Sequence, residues 1–335
     1  MPDLRSIATM ATVLDRRATL QLARWAKRRA TGRRAPSSLQ LGLTDRCQAS
    51  CAHCSAVTTA SARVEHSLPQ IRDILAQVKS MGIPRVHLVG GEPSLRPDLA
   101  TILDLTTALG LVTVLETNGF ELDHAVVRQR VNQLFSISLD HLDASEHDDH
   151  RGLPGSHARA LALLEACEKT RIPHLLSTCV SHDDHEKIEG LRELLRGRKY
   201  CLGLRVLILR PAGRLLGRGD LTLSRAERRR YRRTGPGPKV WFGGYFGEPS
   251  CSLQHGAYFH IDAAGEVLGC QYLPVRFGNL REEPLEHILA RLWVSPLWDH
   301  DDPYCLLEDP DFMARVAATP EPRPVWHEDV PLRRS

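Results

Sequence analysis

Three cysteines of the chain stand close together: Cys47, Cys51 and Cys54 follow one another with three and then two intervening residues. Three thiolates on one loop can bind three irons of a cubane iron–sulfur cluster and leave the fourth iron open to an external ligand. A zinc ion is the alternative, with His53 or a distant residue completing four closed ligands. The spacing alone leaves both metal centres open.

A second motif, Gly90-Gly91-Glu92-Pro93, follows a short apolar run. Two glycines let a ligand approach the backbone closely, and the Glu92 carboxylate can accept a hydrogen bond from an ammonium group. The motif ends a predicted parallel strand, which is where α/β proteins bind ligands. This favours a cluster with an external ligand over a closed zinc site.

The other cysteines can be sorted by their positions in the predicted elements. The chain has nine cysteines, and charged residues near its N-terminus argue against a secretory signal, so we expect a cytoplasmic protein with reduced thiols. Cys167 and Cys201 fit core packing. Cys179 ends a predicted strand at the rim where substrates lie, and it could donate a hydrogen atom to a substrate radical.

Short β-rich runs alternate with helical patterns after Pro36 and predict a parallel α/β sheet, either doubly wound or a partial barrel. The predicted strands are Leu39–Leu43, Arg85–Val89, Leu111–Glu116, Leu134–Ser138, His174–Cys179 and Leu202–Leu209. The predicted helices are Leu68–Met81, Pro97–Ala108, Asp123–Val131, His157–Thr170 and Asp183–Arg196. A hairpin, Tyr258–Ile261 with Val267–Cys270, and a helix over Pro284–Leu292 follow.

In combination these motifs resemble the radical S-adenosylmethionine (radical SAM) superfamily, which places CxxxCxxC after the first strand and GGEP after the second. Further matches, in the right order, are Thr117-Asn118-Gly119, Ser136-Ile137-Ser138-Leu139-Asp140 and His150-Arg151-Gly152. The resemblance spans about residues 38–209. It implies a partial (β/α)6 barrel whose 4Fe-4S cluster reductively cleaves S-adenosylmethionine to a 5'-deoxyadenosyl radical, which takes hydrogen from an unactivated carbon.

The resemblance also implies roles for individual residues. Cys47, Cys51 and Cys54 would bind the cluster, while Gly90, Gly91 and Glu92 would meet the methionyl amine. Ser138 and Arg151 would meet the carboxylate or ribose, and a guanidinium matches a carboxylate bidentately. The full set expected to bind the cofactor is His53, Gly90, Gly91, Glu92, Pro93, Asn118, Ser138, Asp140 and Arg151. His53 stands where the family commonly has an aromatic residue.

The C-terminal part resembles the twitch or SPASM modules of the same superfamily, which hold auxiliary iron–sulfur clusters. Cys251, Cys270 and Cys305 would bind a second 4Fe-4S cluster, with Glu308 a candidate oxygen ligand. Only these three cysteines lie beyond residue 250, whereas two auxiliary clusters need about seven, so a single-cluster, α+β twitch-like module fits better. Buried cysteines that act as small hydrophobes and a solvated Glu308 are the alternatives.

The expected organisation is an amphipathic basic helix at 1–36, a barrel at 37–215, a linker at 216–240 and the auxiliary module at 241–335. The N-terminal helix could pack on the open side of the barrel, form a dimer contact or touch a membrane surface. An arginine-rich run between Arg225 and Arg233 is a solvated helix face or a site for an anionic partner. His147, His150, His182 and His185 are expected at the surface.

The leading function is a radical SAM oxidoreductase, or a related carbon-centre enzyme, that acts on a small metabolite. The alternatives are a maturase of a ribosomally made peptide, which would usually carry a recognition domain before the barrel, and a lipid- or isoprenoid-modifying enzyme. A non-enzymatic iron–sulfur or zinc protein is opposed by the GGEP motif. We expect an electron donor such as flavodoxin or ferredoxin as partner, and no nucleic acid.

Overall fold

A computed structural model of the chain gives the positions of most residues. It describes residues 14–31, 36–55, 64–122, 125–182, 184–215, 218, 221–234, 239–242, 253, 256–298, 305–319 and 325–330. Cys251, one of the predicted cluster ligands, lies outside the described residues.

The strands form one open sheet in the order β11-β10-β9-β8-β1-β2-β3-β4-β5-β6-β7. Six parallel strands make up its centre: β1 (Ser38–Gly42), β2 (Arg85–Val89), β3 (Val112–Thr117), β4 (Gln133–Ser138), β5 (His174–Val180) and β6 (Cys201–Ile208). The flanking strands are β7 (Val240–Phe242), β8 (Tyr258–Ile261), β9 (Glu266–Leu268), β10 (Val275–Asn279) and β11 (Val325–Trp326). The architecture is the predicted partial barrel, and the sheet does not close.

Helices precede the first strand and connect many of the later ones. They are α1 (Arg16–Ala30), α2 (Leu68–Ser80), α3 (Leu99–Ala108), α4 (Ala144–Arg151), α5 (Ser156–Thr170), α6 (His185–Leu194), α7 (Arg225–Thr234), α8 (Leu285–Val294) and α9 (Pro310–Ala318). Most buried apolar residues of the strands and helices join in one large core that also includes Cys167 and Cys201, as predicted, and a smaller separate cluster contains Val114, Leu134, Leu175 and Leu202. Parallel strands covered by helices are buried, which explains their apolar runs.

The helix predicted at Asp123–Val131 is wrong for the residues that the structure describes there, because residues 125–131 form turns. Arg130 provides the physical reason. Its guanidinium donates hydrogen bonds to the carbonyl oxygens of Ala125 and Val126, at 2.7 and 2.8 Å, and it also pairs with Asp104 at 2.7 Å. A buried side chain thus takes carbonyl groups that a helix would need for its own backbone bonds.

Helix α1 packs against the end of the sheet where the strands begin. The Gln21 amide donates to the Ile83 carbonyl at 2.6 Å, Arg28 donates to the Met81 carbonyl, and the Asp15 backbone N–H donates to the Asn132 side chain at 2.8 Å. Of the three alternatives for the N-terminal helix, these contacts match packing on the barrel. No described helix combines the length and apolar character required to cross a membrane.

The C-terminal strands continue the barrel sheet. Strand β8 pairs in parallel with β1, with Leu39 opposite Phe259 and Leu41 opposite Ile261. Strand β9 returns antiparallel to β8 after the turn at residues 262–265, so the predicted hairpin is present with its second strand at Glu266–Leu268. The predicted linker at 216–240 contains α7 and the first residue of β7.

Candidate active site

The loop that carries Cys47, Cys51 and Cys54 is held from several sides. The backbone N–H groups of Gly91 and Glu92 donate to the carbonyl oxygens of Thr44 and Arg46, at 2.7 and 2.8 Å. On another side, the Arg214 backbone N–H donates to the Cys54 carbonyl at 2.9 Å, and its guanidinium donates to the Cys51 carbonyl at 3.0 Å. The loop is therefore anchored by the ends of β2 and β6, which fixes where its three sulfurs point.

The two glycines after β2 are required by this close approach. Gly90 has a φ of +146°, and a Cβ atom there would stand 2.4 Å from the Thr44 carbonyl oxygen. A Cβ atom at Gly91 would stand 2.2 Å from the Arg46 carbonyl oxygen. Any side chain would therefore push the cysteine loop away.

The three cysteines offer thiolate ligands to either predicted metal. Among the described residues, His53, Asp140 and His150 bring three potential ligand atoms within 4.8 Å of one another, and the cysteines are not part of this set. A structural zinc ion needs four closed ligands, whereas three thiolates can bind three irons of a cubane cluster and leave the fourth iron open. His53, the neighbouring candidate for a fourth zinc ligand, stacks on the His150 ring. The cysteine loop therefore fits the cluster with an open iron.

Burial raises the pKa of Cys47 to about 11 and also raises the pKa of Cys51 above its usual value. Without a cation, these thiols therefore stay protonated at neutral pH. Iron binds the thiolate form and so lowers the pKa on binding. The raised pKa values argue against a free nucleophilic role for these two cysteines.

Glu92 is buried, and the end of β3 holds its carboxylate. Thr117 Oγ1 donates to Glu92 Oε1 at 2.7 Å, and the Asn118 backbone N–H donates to Oε2 at 2.8 Å. Asn118 also accepts a hydrogen bond from the Gln48 side chain on the cysteine loop, at 3.4 Å. The predicted contacts Glu92 and Asn118 therefore belong to one network, in which β3 aligns the carboxylate. Their contact with an ammonium group stays a prediction.

Asp140 and Arg151 form a buried ion pair at 2.6 Å between Oδ2 and Nη2. This neighbour holds the pKa of Asp140 below its usual range, and Asp140 in turn raises that of Arg151. Asp140 Oδ1 also accepts a hydrogen bond from the Cys179 backbone N–H at 3.0 Å. Arg151 Nη1 lies 3.8 Å from the Cys51 sulfur, and so joins the ion pair to the cysteine loop.

The ring of His53 stacks on that of His150, with 4.3 Å between the ring centroids. Burial lowers the pKa of His53 to about 3, so the imidazole is neutral and packs as an aromatic ring. The His53, Asp140 and His150 set does not suit a cation, because the Arg151 guanidinium already occupies Asp140. His147 is buried, so its predicted surface position is wrong; its Nδ1 accepts the Asp140 backbone N–H at 3.1 Å.

A cavity of about 670 Å³ opens beside the cysteine loop and extends into the barrel. It brings together most of the predicted site: its wall includes Cys47, Cys51, His53, Cys54, Gly90, Gly91, Glu92, Asn118, Ser138, Arg151 and Cys179. Pro93 and Asp140 are buried next to it and are not part of the wall. The predicted residues thus meet in one place, although they come from five strand ends.

Sequence reasoning missed the polar residues deeper in the barrel. Arg205 on β6 pairs with Glu116 on β3, with 2.9 Å between Nη1 and Oε1, and donates to Ser136 and Ser177 at 3.0 and 3.2 Å. His87 Nδ1 lies 3.1 Å from Glu116 Oε1. A signal existed, because single polar residues interrupt otherwise apolar strands at positions that the register places side by side.

The predicted auxiliary site is only partly described. Cys270 and Cys305 are buried in the same core, and the Tyr258 hydroxyl donates to the Cys270 sulfur at 3.3 Å. Glu308 Oε1 lies 2.7 Å from both Arg210 Nη1 and Arg228 Nη2. These ion pairs compete with the predicted ligand role of Glu308, and they give the arginine-rich run an internal partner. The roles of Cys251, Cys270, Cys305 and Glu308 as cluster ligands stay predictions.

Comparisons of the sequence with known proteins agree with this site. The family model of the radical SAM superfamily matches residues 41–195. An AdoMet-dependent heme synthase of Methanosarcina barkeri is 29% identical over 310 residues, which cover 83% of this chain and 86% of that protein. A PqqA peptide cyclase of Xanthomonas campestris is 26% identical over 319 residues, which cover 84% of this chain and 78% of that protein.

Solved structures share the fold. SuiB of Streptococcus suis, bound to its precursor peptide SuiA, has a TM-score of 0.68 at 18% sequence identity, covering 85% of this chain and 72% of that one. The structure named anSMEcpe with bound AdoMet and Cp18Cys peptide has a TM-score of 0.57 at 15% identity, covering 76% of this chain and 80% of that one. At these identities the likeness concerns the fold.

Proposed function

We propose, because this chain belongs to the radical SAM superfamily, that it is an enzyme which modifies a side chain of a peptide substrate inside the barrel cavity. Membership brings the 4Fe-4S cluster and S-adenosylmethionine as cofactors, and both fit the cysteine loop and the GGEP loop described above. When bound, they supply a 5'-deoxyadenosyl radical that removes a hydrogen atom from a carbon atom of the substrate.

The resemblance to PqqA peptide cyclases carries the proposal, since it extends over 84% of this chain and 78% of that protein. The cavity is compatible with a peptide. Its volume of about 670 Å³ must hold S-adenosylmethionine as well as the reacting part of the substrate, since the predicted contacts for the cofactor line the same wall. A peptide could meet this limit by inserting a single side chain.

The comparisons favour the peptide alternative over the small metabolite that the sequence first suggested. Two kinds of similar proteins are named with peptides, whereas one, the heme synthase, is named with a small molecule.

In this proposal the chain's own residues orient the cofactor and exclude water. Glu92, aligned by Thr117 and Asn118, accepts the methionyl ammonium group, and Arg151 faces the carboxylate, with Asp140 holding the guanidinium in position. Gly90 and Gly91 keep the cofactor within reach of the cysteine loop. An external electron donor of the flavodoxin or ferredoxin class provides the electron for the cluster.

Cys179 is the proposed donor of a hydrogen atom to the substrate radical. Its side chain lines the cavity, and burial raises its pKa to about 12, so the thiol keeps its hydrogen at neutral pH. After transfer, one electron from the external donor and one proton restore the thiol. Product formed in D2O should carry deuterium from the exchanged thiol, and Cys179→Ala should abolish that incorporation.

The test of the peptide proposal uses the anaerobically reconstituted, full-length enzyme with short peptides encoded next to its gene. Mass spectrometry should detect a changed peptide in amounts that depend on S-adenosylmethionine and reductant, and the Cys54→Ala variant should give none. If no peptide changes mass while a supplied small metabolite is converted, the peptide proposal is wrong.

The heme synthase from Methanosarcina barkeri supports a second candidate, a step in haem formation. The observation that favours it is the length of the match, which extends over 83% of this chain and 86% of that protein and so includes residues of both the barrel and the C-terminal module. A change in the visible absorption of an added haem precursor, dependent on S-adenosylmethionine, would favour this candidate over the peptide.

A further inference from the structure

The floor of the cavity is a layer of polar side chains that spans the barrel. Strand pairing places Gln40 opposite His87, Glu116 opposite Ser136, and Ser177 opposite Arg205. Gln40, Glu116, Ser177 and Arg205 all contact the cavity. A group of the substrate that reaches the floor therefore meets hydrogen-bonding side chains rather than an apolar surface.

Arg205 is the centre of this layer. Its guanidinium has five N–H groups, and the described acceptors are Glu116, Ser136 and Ser177. Nη1 carries two hydrogens, and among the described residues only Glu116 accepts from it. Arg205 can therefore add an acceptor from the cavity while it keeps its bond to Glu116.

The charges at the floor do not cancel. Arg85, at the start of β2, lies close enough to Arg205 for the two guanidinium groups to repel each other, and its Nε is buried without a hydrogen-bond partner. Among the described residues Arg85 has no acidic partner, and Glu116 pairs with Arg205. His87 remains neutral, since burial lowers its pKa. Arg85 and His87 lie in the barrel next to the floor and are not part of the cavity wall. The two guanidinium groups and one carboxylate thus leave one positive charge in excess.

We infer that the cavity floor binds a carboxylate of the substrate at Arg205, and that the enzyme selects substrates by this acidic group. A buried, uncompensated guanidinium is costly, and an anion from the substrate relieves that cost in the complex. A cationic group would meet Arg205 at the floor, with the charge of Arg85 near it and Glu116 already paired. The inference rests on the proposed function, and for a peptide it points to a glutamate or aspartate side chain.

Propionate and propionamide are suitable probes, because they share a shape and differ in charge. Binding is measured by calorimetry on the oxidised full-length holoenzyme saturated with S-adenosylmethionine, so that the site of the methionyl carboxylate is already filled. We expect wild-type protein to prefer propionate by about tenfold or more. Arg85→Gln should weaken propionate binding several-fold, whereas Glu116→Gln should strengthen it, and neither variant should change propionamide binding.

If Arg85→Gln weakens propionate binding and Glu116→Gln strengthens it, the two residues act through their charge on the anion. A purely structural role would weaken propionate binding in both variants. The double variant Glu116→Gln with Arg205→Gln removes the ion pair without leaving a lone charge, and should lose the preference for propionate. Arg196→Gln, at a largely exposed position, is the matched control and should behave as wild type. Iron content and circular dichroism verify that each variant is folded.

Equal or undetectable binding of propionate and propionamide to wild-type enzyme would overturn the inference. A change of propionate affinity in the same direction in Arg85→Gln and Glu116→Gln would overturn it as well. Different outcomes refute this inference and the proposed peptide function. A peptide that is modified equally well with glutamine in place of every glutamate refutes the acidic floor alone. Propionate selectivity without any modified peptide refutes the peptide proposal alone.

Discussion

The Arg151 guanidinium connects the end of β4 with the cysteine loop, because it pairs with Asp140 at 2.6 Å and also lies 3.8 Å from the Cys51 sulfur. The same side chain can thus interact electrostatically with the cysteine loop and donate N–H groups into the cavity that it lines. Its position at the last residue of α4 depends on Asp140, whose side chain is wholly buried.

Arg151→Ala should weaken S-adenosylmethionine binding by about 2 kcal/mol, since a charge-assisted hydrogen bond to the methionyl carboxylate would be lost. Equilibrium binding to the reconstituted enzyme measures the effect. Arg192→Ala, at an exposed pair on α6, is the control. An unchanged Kd in Arg151→Ala would mean that another residue holds the carboxylate.

Asp140→Asn should lower the free energy of unfolding by about 3 kcal/mol or more, because it leaves the buried Arg151 charge without its partner. The folded-state pKa of Asp140 is lowered, so its stabilisation is complete above about pH 4 and is lost as the pH falls further. Urea denaturation measures both effects. Glu193→Gln, at an exposed pair with Arg196, should cost less than about 1 kcal/mol. Equal losses in the two variants would contradict this account.

His147 should make the protein less stable as the pH falls from about 6.5 to about 4. Burial lowers the pKa of His147 in the folded state to about 4, so over this range His147 binds a proton in the unfolded chain but not in the folded one. His147→Gln should therefore lose less stability than wild type between these pH values, by up to about 3 kcal/mol. Parallel pH profiles of the two proteins in urea denaturation would show that His147 does not titrate as proposed.

Replacing Cys47, Cys51 and Cys54 together by alanine should abolish formation of 5'-deoxyadenosine and remove about four irons per chain. Cys167→Ala changes a cysteine buried in the core, and should keep both properties despite a lower Tm. Chromatographic product analysis and iron determination provide the readouts. Cleavage of S-adenosylmethionine by the triple variant would refute the assignment of these three cysteines as the cluster ligands.

The auxiliary site should bring the total to about eight irons per chain, falling to about four when Cys251, Cys270 and Cys305 are replaced. Tyr258→Phe should shift the potential of that cluster, because it removes the hydrogen bond to the Cys270 sulfur. Electron paramagnetic resonance under graded reduction measures the shift. In Glu308→Gln, an altered auxiliary resonance would support its role as ligand, while a lower Tm with an unchanged resonance would leave only its ion pairs with Arg210 and Arg228.

The sequence predicted the barrel well because strand order and motif order coincide. Each predicted central strand is present within a residue or so of its ends, and Cys47, Glu92 and Arg151 meet in one cavity. What it missed depends on contacts between particular side chains. Arg130 prevents a helix by bonding to carbonyls four and five residues before it, and the Glu116–Arg205 pair joins residues 89 positions apart. Periodicity predicts neither contact, although the polar residues that interrupt the apolar strands are visible in the sequence.

The pairing of β1 with β8 has a consequence for how the protein is made. Strand β1 carries the cysteine loop at its end, yet one of its two neighbours is formed by residues 258–261, more than 200 positions later. During synthesis, β1 therefore keeps one unprotected edge until the whole barrel and the residues after it, up to β8, have emerged. We expect the cysteine loop to gain its final rigidity late, so that cluster insertion follows completion of the C-terminal hairpin rather than of the barrel alone.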